Sequence, residues 1–213
     1  MDDFNRARSI NPGFGKPRFS KTEIKHLLIA LLVMALAFTI VLARSNPHYF
    51  DDDFWINALC WFGVSILIAL VSFFVHEMGH KFVAQKYGAW SEFRMFPIGL
   101  LLCIVTSFLG FLFAAPGAVY IDGNIDKKMN GHIALAGPAM KLILGGIALL
   151  ISMATTGYVW AIFNLIAYLN GFLAAFNMIP IPPLDGSKIL KWNPFVFIIT
   201  LALAIMLIVF TRM

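Results

Sequence analysis

Residues 54–87 read FWINALCWFGVSILIALVSFFVHEMGHKFVAQKY, and the fold follows from how that run begins and ends. About 20 consecutive apolar residues cross the hydrocarbon core of a bilayer. Starting at Phe54, the run covers that distance by about residue 74, then continues without a helix breaker into His76-Glu77-Met78-Gly79-His80. Side chains four apart share one face of a helix, so His76 and His80 can reach one zinc ion. Glu77 stands beside such a metal rather than on it, where a carboxylate can take a proton from a zinc-bound water. Two imidazoles and a carboxylate are costly to bury in apolar surroundings without a partner. The stretch therefore reads as a membrane-spanning helix with a hydrolytic metal site near one membrane face.

The rest of the composition agrees. Of 213 residues, 60% are hydrophobic and 13% charged, with a mean hydropathy of +0.83. That excludes an ordinary soluble domain. The net charge of +5 does not indicate nucleic acid, because Lys and Arg cluster near segment ends, as membrane topology demands. Cys60 and Cys103 lie in apolar runs and read as small packing residues, with no disulfide framework and no Cys-based metal site. The N-terminus lacks the pattern of a cleavable signal.

Residues 1–25 are polar and basic and read as a cytoplasmic arm, with Ser20 and Glu23 at capping-box spacing for a helix starting near residue 21. The apolar run 26–43 is long enough to span. Residues 44–53 form an acidic external turn, and Asp53 is placed to cap the next helix. Gly88 is a helix stop. Between 89 and 131, Pro97, Gly99, Gly110, Pro116 and Gly117 punctuate an apolar stretch at 97–114. Further helices are expected over 132–155, 158–179 and about 194–210. Residues 26–213 make a single membrane-embedded domain with a metal-bearing core at 54–190.

A catalytic zinc usually takes three protein ligands and keeps one open position. The chain has three glutamates, Glu23, Glu77 and Glu92. Glu92 follows a chain break and makes a poor helix-borne ligand. Asp122, Asp126, His132 and Asp185 remain as candidates.

His-Glu-x-x-His, followed by the helix containing Gly137-Pro138 and then by Asn177-Met178-Ile179-Pro180-Ile181-Pro182-Pro183-Leu184-Asp185-Gly186, resembles the site-2 proteases, the zinc intramembrane metalloproteases. The resemblance covers roughly residues 54–190. It implies that His76, His80 and Asp185 hold one zinc ion per chain, that Glu77 is the catalytic glutamate, and that Asn177 handles the substrate strand. It also implies a three-helix metal-bearing core and an extended, partly embedded β segment after the His-bearing helix. One position departs from the pattern. The family commonly has an asparagine four residues after the glycine of Gly-Pro, and here that position is Lys141, read as a lysine snorkelling to the nearby cytoplasmic surface, the alternative being an ammonium near the active site that repels a cation or substitutes for a lost polar contact.

Parity gives an independent argument about topology. If Asp185 shares a zinc with His76 and His80, all three lie at one depth. Helices 132–155 and 158–179 take the chain out and back, so 97–114 cannot cross once. It must dip and return or lie along the bundle, and irregular backbone at that depth must be satisfied by protein or by a water-filled cavity. This layout keeps Lys81, Lys86, Arg94, Lys127, Lys128, Lys188 and Lys191 on the cytoplasmic side.

The expected fold is thus an α-helical polytopic membrane protein of about five spanning helices, plus a re-entrant or β-like segment at about 89–125. The expected function is zinc-dependent endoproteolysis of transmembrane protein substrates within the lipid bilayer of the cell membrane, with N-terminus and active site toward the cytoplasm. A substrate strand would add to an exposed edge within 89–125, and Glu92-Phe93-Arg94-Met95-Phe96 partly alternates as such an edge does. The alternatives are a catalytically silent zinc-binding scaffold, which would not need Glu77, and an ion transporter, which would carry more intramembrane acids.

Overall fold

The computed structural model describes residues 18–113 and 115–213, and the first 17 residues of the expected arm lie outside the described residues. In chain order the elements are α1 (Lys21–Ser45), α2 (Phe54–Ala69), a π-helical turn (Leu70–Phe74), α3 (Val75–Lys86), β1 (Trp90–Met95), α4 (Pro97–Phe108), β2 (Gly117–Asp122), α5 (Lys127–Met153), α6 (Gly157–Asn177), α7 (Asp185–Trp192) and α8 (Pro194–Phe210). Among the described residues, four helices are long and apolar enough to cross a membrane: Lys21–Ser45, Phe54–Lys86, Lys127–Met153 and Gly157–Asn177. The expected fifth, α8, has 17 residues, about 25 Å of helix.

Helix ends fall where the local chemistry puts them. Ser20 Oγ accepts from the Glu23 N–H at 3.0 Å, and Asp53 Oδ1 accepts from Trp55 and Ile56, so orphan N–H groups at two helix starts are satisfied by side chains. Gly88 ends α3 with φ +77, a left-handed conformation that glycine adopts without steric cost. Asp126 caps α5 through Met129 at 2.7 Å, and Asn193 caps α8 through Phe195 and Val196.

The chain forms two compact units. In the unit containing residues 20–74 and 93–118, α1 packs against α2, the π turn and α4. Its contacts rest on small residues, with Ala30, Ala35 and Ala37 wholly buried, which lets helices approach closely in a lipid setting. Phe73 meets Phe93 edge-on, with ring centroids 5.6 Å apart. In the unit containing residues 75–92 and 119–213, α5 packs against α3, α6, α7 and α8. Ala134, Met178 and Ile189 form its core, with Trp192, Val196 and Leu201 packed around them. Leu28, Leu32, Leu36, Ile147 and Leu150 are all exposed, as lipid-facing residues are.

The punctuated stretch at 89–125 folds as strand, short helix, strand. β1 and β2 are hydrogen-bonded neighbours. The Phe96 N–H donates to the Pro116 carbonyl at 2.9 Å, and a Cβ on Gly123 would meet Ala89, so the strands run antiparallel and the stretch ends where it began. α4 between them has 12 residues, about 18 Å, against a hydrocarbon core of about 30 Å. The side of β1 away from β2 is not open. Lys81 Nζ donates to the Ser91 carbonyl at 2.8 Å, and Glu23 Oε1 accepts from the Phe93 N–H at 2.9 Å. Within the edge expected at Glu92–Phe96, the outward Phe93 N–H is thus taken up by a side chain, as a buried backbone donor must be.

Candidate metal centre

His76 and His80 lie on α3, and Asp185 is the first residue of α7. The Asp185-Gly186 pair opens this helix. Gly186 allows this, since a Cβ there would sit 2.2 Å from the Met178 carbonyl oxygen. All three side chains are buried. Their ligand atoms converge: His80 Nε2 lies 3.1 Å from His76 Nε2, and Asp185 Oδ2 lies 3.2 Å from His80 Nε2 and 3.5 Å from His76 Nε2. A tetrahedral zinc with ligands at its usual 2.0–2.1 Å separates any two of them by roughly 3.4 Å. The triangle fits that ion, and three lone-pair atoms so close together in a buried place call for a cation.

The ring of His80 is oriented from behind. Its Nδ1 lies 2.7 Å from the Ile133 carbonyl, which fixes Nδ1–H as the donor and leaves the Nε2 lone pair for a metal. His76 Nδ1 is buried without a hydrogen-bond partner. The second carboxylate oxygen of Asp185 has Lys188 Nζ at 4.0 Å.

The rings of His76 and His80 meet the backbone of α5 at Gly137. A Cβ on Gly137 would lie 2.4 Å from both His76 Cε1 and His80 Nε2. On α3, Gly79 makes the reciprocal approach, where a Cβ would lie 2.9 Å from the Ala136 carbonyl oxygen. One glycine on each helix thus brings the two backbones together and sets the depth of the metal triangle.

Glu77 is buried, 8% exposed, with Oε1 4.0 Å from His76 Nε2. It stands outside the triangle yet beside it, and it faces the Val119 backbone N–H on β2. Its carboxylate is thus close to the triangle without being one of its three corners.

The other sequence candidates fall elsewhere. Asp126 is occupied as the cap of α5, and Asp122 is exposed at the end of β2. His132 bonds Tyr87 and meets Trp192 edge-on, centroids 4.5 Å apart, so it belongs to an aromatic cluster. Glu92 lies in β1. Asn177 is half-buried at the end of α6, and its amide donates to Leu173 of the same helix at 2.9 Å. Among the described residues, His76, His80 and Asp185 are the group that could hold a metal ion.

Lys141 overturns the snorkelling reading and agrees with the alternative of a buried ammonium. It is 5% exposed, not at a surface. It sits 14 residues into α5, about 20 Å along the helix, too far for a lysine side chain to reach the helix start. The Ile133 carbonyl, the Gly137 backbone and the Val119 N–H were also missed by sequence reasoning. Only Gly137 carried a signal, through its four-residue spacing with Lys141 and Gly145.

Comparison with known proteins fits this geometry. The profile of peptidase family M50 matches residues 151–193. A "Putative zinc metalloprotease" of Methanocaldococcus jannaschii is 40% identical over 188 residues, which cover 85% of this chain and 90% of that protein. A second protein of the same organism, a "Zinc metalloprotease", is 31% identical over 140 residues, 63% of this chain and 35% of that protein. A "Putative zinc metalloprotease" of Bacillus subtilis is 30% identical over 151 residues, 59% of this chain and 67% of that protein. No solved structure matches.

Proposed function

The chain belongs to peptidase family M50, the site-2 proteases, and we propose that it is a zinc-dependent endopeptidase that cuts within or near a transmembrane segment of other membrane proteins, in regulated intramembrane proteolysis. The observation that carries this reading is the convergence of His76, His80 and Asp185 into one buried triangle, with Glu77 directly outside it. His76, His80 and Asp185 hold one zinc ion per chain. Bound there, zinc supplies a Lewis acid that polarises a carbonyl and acidifies water. Glu77 accepts the proton of the attacking water and passes it to the leaving amine. Buried surroundings keep bulk water from the carboxylate, and Gly137 keeps both imidazoles in register.

A substrate helix hides its carbonyls in hydrogen bonds, so it must unwind before it is cut. With the outer groups of β1 engaged, β2 is the strand to which an unwound segment adds, beside Glu77 and Val119, and Asn177 assists at the end of α6. The segment 97–113 dips into the membrane and returns, α8 makes a fifth crossing, and the N-terminus and metal centre face the cytoplasm of a cell membrane. The matched ends of the β1–α4–β2 excursion and the charge pattern support that layout.

The test is proteolysis by purified, zinc-loaded protein in detergent or nanodiscs, compared with Glu77→Gln. The amide is nearly isosteric but does not accept a proton as a carboxylate does. Glu77→Gln is expected to keep its zinc and lose about two to four orders of magnitude in turnover. Equal cleavage by both proteins refutes the base assignment. Zinc binding without cleavage of any membrane substrate by wild type refutes the protease reading.

A further inference from the structure

One charged group beside the metal triangle has no part in this chemistry. Lys141 follows Gly137 by four residues on α5, on the helix face that meets the two imidazoles. Helical side chains lean toward the helix N-terminus, so Lys141 leans back toward the rings. Its charged neighbours are Asp185 and Glu77, with His76 also in range. Among the described residues, neither a hydrogen bond nor an ion pair satisfies its ammonium. A buried ammonium in a low-dielectric place calls for an acceptor.

Charge bookkeeping says which kind. With zinc bound, the two positive charges of the ion are matched by the carboxylates of Asp185 and Glu77. Lys188, 4.0 Å from Asp185, has a 42% exposed side chain whose charge water screens, whereas buried Lys141 leaves one positive charge over in surroundings that screen it poorly. A neutral peptide segment leaves that excess in place, and a segment with a cation doubles it. A segment with one carboxylate side chain cancels it and gives the ammonium its partner. Apolar transmembrane segments seldom carry such a group, so the contact discriminates strongly between substrates.

We propose that Lys141 is a specificity-determining residue that selects substrate segments carrying Asp or Glu beside the scissile bond. This rests on the reading of the site as a protease centre, and the test separates the two. The probes are three polyleucine transmembrane peptides with a central Asn-Gly pair to loosen the helix and Glu, Gln or Lys directly before it. Their affinities are measured by fluorescence in nanodiscs for zinc-loaded protein with Glu77 intact, so that the charge count is unchanged, on peptides whose Asn-Gly amide is replaced by an uncharged, uncleavable ketomethylene link. The Glu peptide is expected to bind at least about tenfold more tightly than the Gln peptide, and the Lys peptide more weakly than both. Adding Lys141→Met should erase the ranking with zinc content unchanged, adding Lys141→Arg should keep it, and adding Lys141→Glu should invert it. Equal affinities for the three peptides, or a ranking that survives Lys141→Met, overturn the proposal. Cleavage of the corresponding all-amide peptides by wild type is read separately. Cleavage indifferent to the Glu, Gln or Lys overturns the specificity role but leaves the protease reading standing. Preferential Glu-peptide binding with no cleavage supports the role of Lys141 and counts against the protease reading alone.

Discussion

Adding a single methyl group at Gly137 should empty the metal site while leaving the fold intact. In Gly137→Ala the new Cβ would stand 2.4 Å from His76 Cε1 and His80 Nε2, and 2.5 Å from His80 Cε1. Ordinary contact begins near 3.4 Å, so one or both rings must retreat by roughly 1 Å, the difference between those distances. Metal ligands tolerate about 0.2 Å. Both imidazoles belong to the affected triangle, so the loss should exceed the 10–100-fold cost of disturbing one supporting contact. The overpacking itself costs about 1–3 kcal/mol, which a helical bundle survives. Gly146→Ala on the same helix is the control, because a Cβ there meets nothing within 4 Å. It should gain up to about 1 kcal/mol from helix propensity and keep its zinc. The assay is zinc affinity by competition with a chromophoric chelator, alongside thermal unfolding in the same detergent. A folded Gly137→Ala protein with wild-type zinc affinity would refute the geometry on which the site is built.

The ligand set makes a second prediction. His76→Ala, His80→Ala and Asp185→Ala should each deplete bound zinc sharply by elemental analysis, while Asp122→Ala and His132→Ala should not. Wild-type zinc in Asp185→Ala would sink the third-ligand assignment. Topology makes a third: in a background lacking Cys60 and Cys103, cysteines at positions 127 and 188 should react with impermeant reagent only from the cytoplasmic side, and one at position 50 only from outside. External labelling at position 127 would overturn the dip-and-return reading of 97–113.

Much was legible in the sequence because it is encoded over short distances. The run from Phe54 into His76–His80 specifies a long helix through apolar length, and it places two imidazoles on one face through the 3.6-residue repeat. The caps at Ser20 and Asp53 and the stop at Gly88 are likewise local: an oxygen within three residues of an orphan N–H, or a glycine at positive φ. The paired strands around α4 could be anticipated only as a re-entrant or β-like segment, since the pairing of β1 with β2 joins residues about 20 to 30 positions apart. What only the tertiary structure decided depends on which backbones touch. Nothing in the spacing of Gly137 says that its α-carbon lies against the rings of His76 and His80, and nothing near Ile133 says that its carbonyl orients His80. Lys141 shows the difference most plainly. On an isolated helix a lysine follows its flexible stem toward water, and the sequence reading followed that tendency. The packing of α5 against α3 and α7 leaves it no such path, because burial is a property of neighbours that the local sequence does not contain.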